Sequence, residues 1–360
     1  MKNSTESVAK KYKLAVVIGR FQIFHKGHKY LIDEALKIAD EVLVLIGSSH
    51  AARNIKNPFT FDERVQMICD NFDGTEWLRM ITAPITDNFY DDDAWALQVA
   101  NQIEDCAKNQ YEYTVQNNDI TIVGHKKDKS SYYLNMFPQY DYIEVEKEFY
   151  VNATDIREMM YKGQFETVTE MADALRGRVP GKTAMWLRKW ITDNYQTEYI
   201  RLINEYMFIE HYKRMWERTP YPVIFQTVDA VVVRSNHVLM IKRRAAPGEG
   251  LWALPGGFLN YREKTLDAAI RELKEETKLD IPDKILYSHV KNQKRFDHPD
   301  RSLRGRTITE AFFIQLPDGK LDKVKGSDDA IKAKWIHLND LKSEEIYEDH
   351  YSIIRYFTGV

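Results

Sequence analysis

Cysteine is scarce: only Cys69 and Cys106 occur among 360 residues, and their spacing suits no metal site. A disulfide framework is therefore excluded as the main source of stability, and the pattern suits a reducing, cytoplasmic setting. Long apolar runs are also missing. No stretch approaches the roughly 20 residues that a bilayer-spanning helix needs. The opening residues, Met1 to Lys13, are polar and lack the apolar centre of a secretion signal. Nor is charge of one sign in excess, since 51 Lys and Arg stand against 54 Asp and Glu for a net charge of −3. With no basic block, neither nucleic acid nor a membrane is an expected partner. There is no internal repeat and no low-complexity tract.

Hydrophobic residues make up 44% of the chain, enough to build cores from packing alone. The length suits two domains of roughly 150 residues each. Leu14 to Ile18 is a valine-rich run stopped by Gly19, which predicts a buried parallel strand. Lys29 to Ala39 has helical apolar spacing, and Val42 to Ile46, stopped by Gly47, is a second strand. Ile120 to Val123 before Gly124 repeats the strand-then-glycine pattern. The expected fold of residues 1–180 is α/β, a doubly wound parallel sheet of Rossmann-like type with its site at the carboxyl ends of the strands. Residues 181–220 read as a helical connector, ended at Thr219-Pro-Tyr-Pro222 because proline cannot continue a helix. Residues 221–360 read as a mixed α+β domain, with strands at Thr227–Val233, His237–Lys242 and Thr309–Leu316 and a charged helix at Thr265–Lys278.

The link between the first strand and the first helix is Gly19-Arg-Phe-Gln-Ile-Phe-His25-Lys-Gly-His28. A helix N-terminus offers free N–H groups and a positive dipole end, so it can hold phosphate. His25 and His28, three apart, face one side of the turn. Two imidazole donors there can stabilise charge on a triphosphate. Surface histidines or metal ligands are the competing readings, but a metal needs a third ligand and none is near in sequence.

This segment resembles the His-x-Gly-His signature of the nucleotidylyltransferases, and more narrowly the archaeal-type nicotinamide mononucleotide (NMN) adenylyltransferases. Asn57-Pro-Phe-Thr60 with Glu63-Arg64, and Asn152-Ala-Thr154-Asp-Ile-Arg157, strengthen the narrower match, which covers roughly residues 12–165. The resemblance implies catalytic roles for His25, His28 and Arg157. It implies ATP contacts from Gly19, Arg20, Phe21, Gly124 and Thr154. It implies NMN contacts from Arg53 or Lys56 to phosphate, Asp92 or Asp93 to the amide, and Trp95 stacked on the ring. From the residues alone, Thr154 also reads as a helix cap and Trp95 as helix core.

In the last third, Gly257 is followed after five residues by Glu263 and after seven more by Arg271-Glu-Leu-Lys-Glu275-Glu276. Glu272, Glu275 and Glu276 share one helical face, where like charges are unfavourable unless cations neutralise them. Oxygen ligands suit Mg²⁺, or Mn²⁺ in its place. The spacing resembles the Nudix box, preceded as in that family by Leu254-Pro-Gly-Gly257. Where the family carries a glycine near the end of the box, this chain has Lys278. The resemblance implies metal contacts from Gly257, Glu272, Glu275 and Glu276, with Glu272 and Glu276 catalytic. Arg243, Arg271 and Arg306 are the expected ADP-ribose contacts.

Together these readings imply a bifunctional enzyme: NMN plus ATP to NAD and pyrophosphate, and Mg²⁺-dependent hydrolysis of ADP-ribose to AMP and ribose 5-phosphate. The expected partners are these small molecules, with homo-oligomerisation left open. Two rivals stand beside it: transfer of a nucleotidyl group to another phosphorylated substrate, and a Nudix domain that senses NAD metabolites without cleaving them.

Overall fold

The first strand, β1 (Tyr12–Gly19), is buried on both faces through Leu14, Ala15, Val16 and Val17, as a central parallel strand requires. The computed structural model describes residues 11–110, 116–125, 136–163, 165–327 and 329–359. The expectation of a polar segment at Met1 to Lys13 thus falls mostly outside the described residues. The chain divides into two units, Met1–Leu202 and Ile203–Val360.

In the first unit β1 is followed by α1 (Lys26–Ile38), β2 (Ala39–Ile46), α2 (Phe61–Cys69), α3 (Gly74–Trp77), β3 (Met80–Pro84) and α4 (Asp92–Gln110). Then come β4 (Ile120–Gly124), β5 (Asp141–Glu144), α5 (Ala153–Tyr161), α6 (Val168–Leu175) and α7 (Gly181–Asp193). The five strands lie parallel in the order β3-β2-β1-β4-β5. This is the doubly wound sheet expected from the strand-glycine pattern. The order reverses at β1, whose carboxyl end and that of β4 flank the crevice where such sheets bind ligands.

Helix α7 packs within the first unit. Asn71 Nδ2 donates to Thr183 Oγ1 at 2.8 Å, and Phe59 meets Trp186 and Trp190 edge to face at 5.4 and 5.0 Å. Helix α8 (Ile200–Trp216) contains the division between the units. Its last turns present Tyr212 and Trp216 to Phe225, with ring centres 5.6 and 5.3 Å apart, inside the second unit. The segment 181–220, read as a connector, therefore contributes to both units.

The second unit contains β6 (Phe225–Arg234), β7 (His237–Arg243), β8 (Trp252–Ala253), β9 (Gly256–Phe258), α9 (Thr265–Thr277) and α10 (Asp283–Ser288). It continues with β10 (Val290–Phe296), β11 (Thr307–Gln315), β12 (Ala330–His337) and α11 (His350–Thr358). The sheet order is β10-β11-β6-β7-β12, with β8 paired to β7 and β9 to β6. Among the described strands β6 and β11 pair parallel and the other strand pairs run antiparallel, so the sheet of this α+β unit is mixed. Ala230, Val232 and Leu239 of the sheet form one core with Ile270 and Leu273 of α9. That packing fixes which face of α9 is left for its carboxylates. Among the described residues, no helix is long and apolar enough to cross a membrane.

Candidate active sites

Helix α1 begins at Lys26, three residues before the expected start, because two histidines cap it reciprocally. His25 Nδ1 accepts the N–H of His28 at 3.3 Å, and His28 Nδ1 accepts the N–H of His25 at 3.4 Å. The rings stack with centroids 3.6 Å apart and planes 15° apart. With both Nδ1 atoms accepting, Nε2 is the nitrogen that carries the proton in the neutral form of each ring. A cavity of about 540 Å³ opens there, lined by Gly19, Arg20, Phe21, His25, His28, Gly124, Thr154 and Arg157. Eight residues separated by up to 138 positions in sequence thus line one cavity.

The loop geometry has specific causes. Phe21 has φ of +51°, a left-handed conformation that a bulky residue rarely adopts. Its ring folds back over Gly19, where a Cβ would sit 3.0 Å from the ring edge. Gly19 is therefore needed by its neighbour as much as by a nucleotide. Arg157, largely buried, donates through Nη1 to the carbonyl of Gln22 and through Nη2 to Thr154 Oγ1 at 3.1 Å. Burial lowers its pKa to about 10, so it remains a cation at neutral pH. The cap of α5 is Asn152, whose Oδ1 accepts the N–H of Thr154 at 2.9 Å. Thr154 is thus not the cap, and its hydroxyl serves Arg157.

Arg64 is fully buried and holds the floor of this site. It donates to the carbonyls of Arg20, Gly47, Ser48 and Thr60 at 2.7, 2.6, 3.2 and 3.1 Å. Gln22 exchanges two hydrogen bonds with the backbone of Phe59, at 2.8 and 3.0 Å. The Asn57-Pro-Phe-Thr60 segment is in this way docked on the phosphate loop. Sequence reasoning quoted Arg64 within that segment without giving it a task. It also quoted Asn152 without a task and missed His125, Lys147, Phe149 and Tyr150, all of which line the same cavity. His125 directly follows the strand-end glycine of β4, a signal that could have exposed it.

The residues expected to hold the mononucleotide are not on that lining. Arg53 is engaged by Glu63 at 2.9 and 3.1 Å and lies 5.4 Å from the Trp190 ring. Lys56 sits in a turn in which its N–H donates to Asn54 Oδ1 at 2.8 Å. Asp92 and Asp93 begin α4 on an exposed turn. Trp95 packs partly buried against the sheet core, 6.1 Å from the Phe137 ring.

In the second unit the loop before α9 is tied down from behind. His350 Nδ1 accepts the N–H of Leu254 at 2.9 Å, and burial lowers the pKa of His350 to about 3, keeping it neutral. Arg301 and Asp349 form a buried bidentate pair at 2.9 Å, close to the buried Asp229. On the helix side, Glu276 Oε2 accepts the N–H of Gly256 at 3.0 Å. Burial raises the pKa of Glu276 to about 8, the hydrogen bond from Gly256 opposes that shift, and nearby Glu272 adds to it. A Cβ on Gly257 would lie 2.5 Å from Glu272 Oε1, so any side chain there would displace the Glu272 carboxylate.

Arg271 is the hub of that face. It pairs with Glu263 at 2.7 and 2.9 Å, with Glu272 at 2.8 Å and with Glu275 at 2.9 Å. These partners hold its guanidinium firmly charged. Its fork is thus occupied by carboxylates. Glu275 leans to Arg271, and among the described residues no three His, Cys, Asp or Glu side chains converge as a ready metal cage. Arg243 donates to the carbonyl of Pro247 at 2.9 Å, lies 4.1 Å from the Tyr347 ring, and is among the charges acting on Glu276. Arg306 donates to the carbonyl of Asp297.

Two family models match the chain, a cytidylyltransferase-like model over residues 16–159 and a Nudix-domain model over residues 224–357. A nicotinamide/nicotinic acid mononucleotide adenylyltransferase of Acinetobacter baylyi is 38% identical over 156 residues, which is 43% of this chain and 78% of that protein. An ADP-ribose pyrophosphatase of Methanocaldococcus jannaschii is 38% identical over 128 residues, 36% of this chain and 69% of that protein. The crystal structure of a bifunctional NMN adenylyltransferase/ADP ribose pyrophosphatase from Francisella tularensis, complexed with AMP and a Mn ion, is 36% identical. It covers 97% of this chain and 99% of its own, with a TM-score of 0.85. With both units matched in order and over nearly the whole length, the chain belongs to the family of bifunctional NMN adenylyltransferase/ADP-ribose pyrophosphatases.

Proposed function

We propose that the first unit joins the adenylyl group of ATP to NMN, giving NAD and pyrophosphate, and that the second hydrolyses ADP-ribose to AMP and ribose 5-phosphate, in the cytoplasm. The observation that carries the first reading is the stacked His25–His28 pair at the N-terminus of α1, facing one cavity with Thr154 and Arg157. Adenylyl transfer needs no covalent protein nucleophile. The NMN phosphate attacks the α-phosphorus in line and pyrophosphate departs, so the protein must align and neutralise. His25 and His28 donate to the phosphates through Nε2–H, and Arg157 and Arg20 add fixed positive charge. Gly19, Phe21 and Gly124 shape the nucleotide's wall, and Thr154 orients Arg157. For the mononucleotide, Arg53, Lys56, Asp92, Asp93 and Trp95 remain the assignment, carried by the family resemblance.

For the second reading, the carrying observation is a buried carboxyl, Glu276, beside Glu272 and against the glycine turn. Such a pair fits a divalent cation. The donors are all oxygens, the charge they crowd together needs neutralising, and the turn lacks any Cβ that would fill the space. Glu272, Glu275, Glu276 and the carbonyl of Gly257 would hold Mg²⁺ or Mn²⁺. When bound, the ion polarises the diphosphate. The chain's own residues do the rest. Arg271 keeps Glu272 and Glu275 in place on α9 through its fork. Arg243 places positive charge beside the carboxylates, and Arg306 offers more where the substrate approaches. The buried Asp229–Arg301–Asp349–His350 group fixes the loop that carries Gly257.

The test is direct. The full chain is incubated with Mg²⁺ and either NMN plus ATP or ADP-ribose, and the products are identified by mass. NAD with pyrophosphate, and AMP with ribose 5-phosphate, are expected. Absence of either pair overturns the corresponding half.

A further inference from the structure

The helices that follow the first unit's sheet do more than lead to the second unit. Helix α7 presents Trp190, whose Nε1 donates to Glu63 Oε1 at 2.6 Å. Glu63 accepts from Arg53 through both oxygens, Nη1 to Oε2 at 2.9 Å and Nη2 to Oε1 at 3.1 Å. The Arg53 guanidinium carbon lies 5.4 Å from the Trp190 ring centre. The indole thus serves both members of the pair, one through its N–H and the other through its π face. After α7, the turn Tyr195–Tyr199 is wound as a π-helix, a rare form that is frequent at functional sites. Tyr199 anchors it by donating to the carbonyl of Met160 at 2.5 Å. The turn brings Glu198 Oε2 to 3.5 Å from Arg53 Nε. Arg201, at the start of α8, donates through Nη2 to Glu198 Oε2 at 3.0 Å and to the carbonyl of Arg53 at 3.1 Å. All of these residues lie within the first unit.

Two-point pairing with Glu63 fixes the plane of the guanidinium, and Glu198 on the Nε side limits its remaining rotation. Burial alone would raise the pKa of Glu63, yet hydrogen bonds from Arg53, Thr60 and Trp190 hold it below the ordinary carboxylate value. The carboxylate therefore stays ionised at neutral pH. The group stands beside the phosphate loop. Arg53 Nη1 also donates to the carbonyl of Pro58, and the next residue, Phe59, exchanges hydrogen bonds with Gln22. Among the described residues, Arg53 spends both N–H groups of Nη1 and one of Nη2 on hydrogen bonds. One Nη2 N–H is left, on a side chain that is 20% exposed. A cation so fixed and so placed suits a phosphate that approaches the loop from solvent. We infer that Trp190 and Glu198 are positioning residues of the adenylyltransferase, holding Arg53 in the orientation in which it meets the phosphate of NMN. This rests on the Arg53 assignment given above. The stretch read from sequence as a connector then supports the first active site.

The experiment measures NAD formation by the full chain in Mg²⁺, with NMN varied at saturating ATP and ATP varied at saturating NMN. Trp190→Phe keeps an aromatic ring against Phe59 and loses the N–H. Glu198→Gln keeps the shape and loses the charge. By analogy with the outer-shell partners of metal ligands, the KM for NMN should rise about 10-fold in either variant, with a much smaller change in kcat. The KM for ATP should stay at the wild-type value. An NMN KM that is unmoved in either variant overturns the inference. So does an equal rise in both KM values, which would mark a merely structural role. A fall in the NMN KM of Glu198→Gln overturns it too, because relief from a bystander anion would tighten phosphate binding. Should Trp190→Phe fail to fold, Glu198→Gln decides the matter by the same readout. Arg53→Lys tests the parent assignment, since it keeps the charge and loses the planar fork. An unmoved NMN KM there removes that assignment and this inference with it. A raised NMN KM in Arg53→Lys beside unmoved Trp190→Phe and Glu198→Gln removes this inference alone.

Discussion

Arg64 Nη1 donates to the main-chain carbonyl of Arg20 at 2.7 Å, joining α2 to the phosphate loop across 44 residues of sequence. The same guanidinium holds Gly47 and Ser48 at the end of β2. Burial lowers its pKa to about 10, so it acts as a charged donor to four carbonyls. Arg64→Met should leave these carbonyls unpaired, destabilising the first unit by about 3 kcal/mol. Adenylyl transfer should fall with it, and a thermal melt alongside an NAD-formation assay checks both. Full activity and an unchanged melt would refute the clamp.

His28→Ala should reduce NAD synthesis by about 10²- to 10³-fold, the usual loss when one aligned transition-state donor is removed. ADP-ribose hydrolysis should survive, because His28 belongs to the first unit alone. NAD formation at the wild-type rate would sink the phosphate-donor role. The reciprocal cap predicts a second effect: the first turn of α1 should exchange its amide protons faster in this variant.

Glu276 links pH to stability with a definite sign. Its folded pKa is raised from 4.5 to about 8, so the folded state keeps a proton that the unfolded chain has already released. That contribution is fully present below pH 4.5 and is lost as pH rises through about 8. In protein stripped of divalent ions, the second unit of wild type should lose stability across this window relative to Glu276→Gln. Parallel pH profiles for the two proteins would contradict the raised value. Glu276→Gln should also abolish ADP-ribose hydrolysis while leaving NAD synthesis intact, since glutamine keeps the shape and loses the anionic ligand.

Lys278 closes α9 with φ of +51°, a left-handed conformation. Glycine adopts it without the Cβ penalty. Lys278→Gly should therefore stabilise the second unit by up to about 1 kcal/mol, read as a higher denaturation midpoint. No metal ligand is touched, so ADP-ribose turnover should not change.

The boundary between the units predicts the behaviour of fragments. A fragment from Ile203 keeps Tyr212 and Trp216 on Phe225, and one from Tyr221 loses both. Aromatic pairs of this kind contribute about 0.5–1.5 kcal/mol each. The shorter fragment should melt earlier. Equal melting temperatures would show that the end of α8 adds nothing to the second unit.

What could be read from the sequence followed the range of the interactions. His25 and His28 lie three residues apart at a strand-to-helix junction, and the acidic residues of α9 share one face within a turn and a half. Local spacing displays both. The strands β1, β2, β4 and β6 showed because burial on both faces leaves nearly unbroken apolar runs. By contrast, β10 reads Val-Lys-Asn-Gln-Lys-Arg-Phe and carries mostly exposed side chains, so no pattern marks it. Arg64 and His125 owe their places to contacts across tens of residues, which no local window contains. Arg271, expected at the substrate, is instead bonded to Glu263, Glu272 and Glu275, and the bond to Glu263 required the loop to fold back. The cap of α5 went to Asn152 rather than Thr154 because only the folded backbone decides which residue turns first.

Arg271 carries one more consequence. By binding Glu263, Glu272 and Glu275 at once, it gives α9 an internal counter-ion that the chain itself supplies. The acidic face can therefore persist in a cell short of magnesium without repelling itself apart. A metal ion that arrives enters as a competitor in an exchange of cations, not as a missing structural strut. Magnesium scarcity should then silence the hydrolase while sparing its fold, and resupply should restore turnover without a refolding delay.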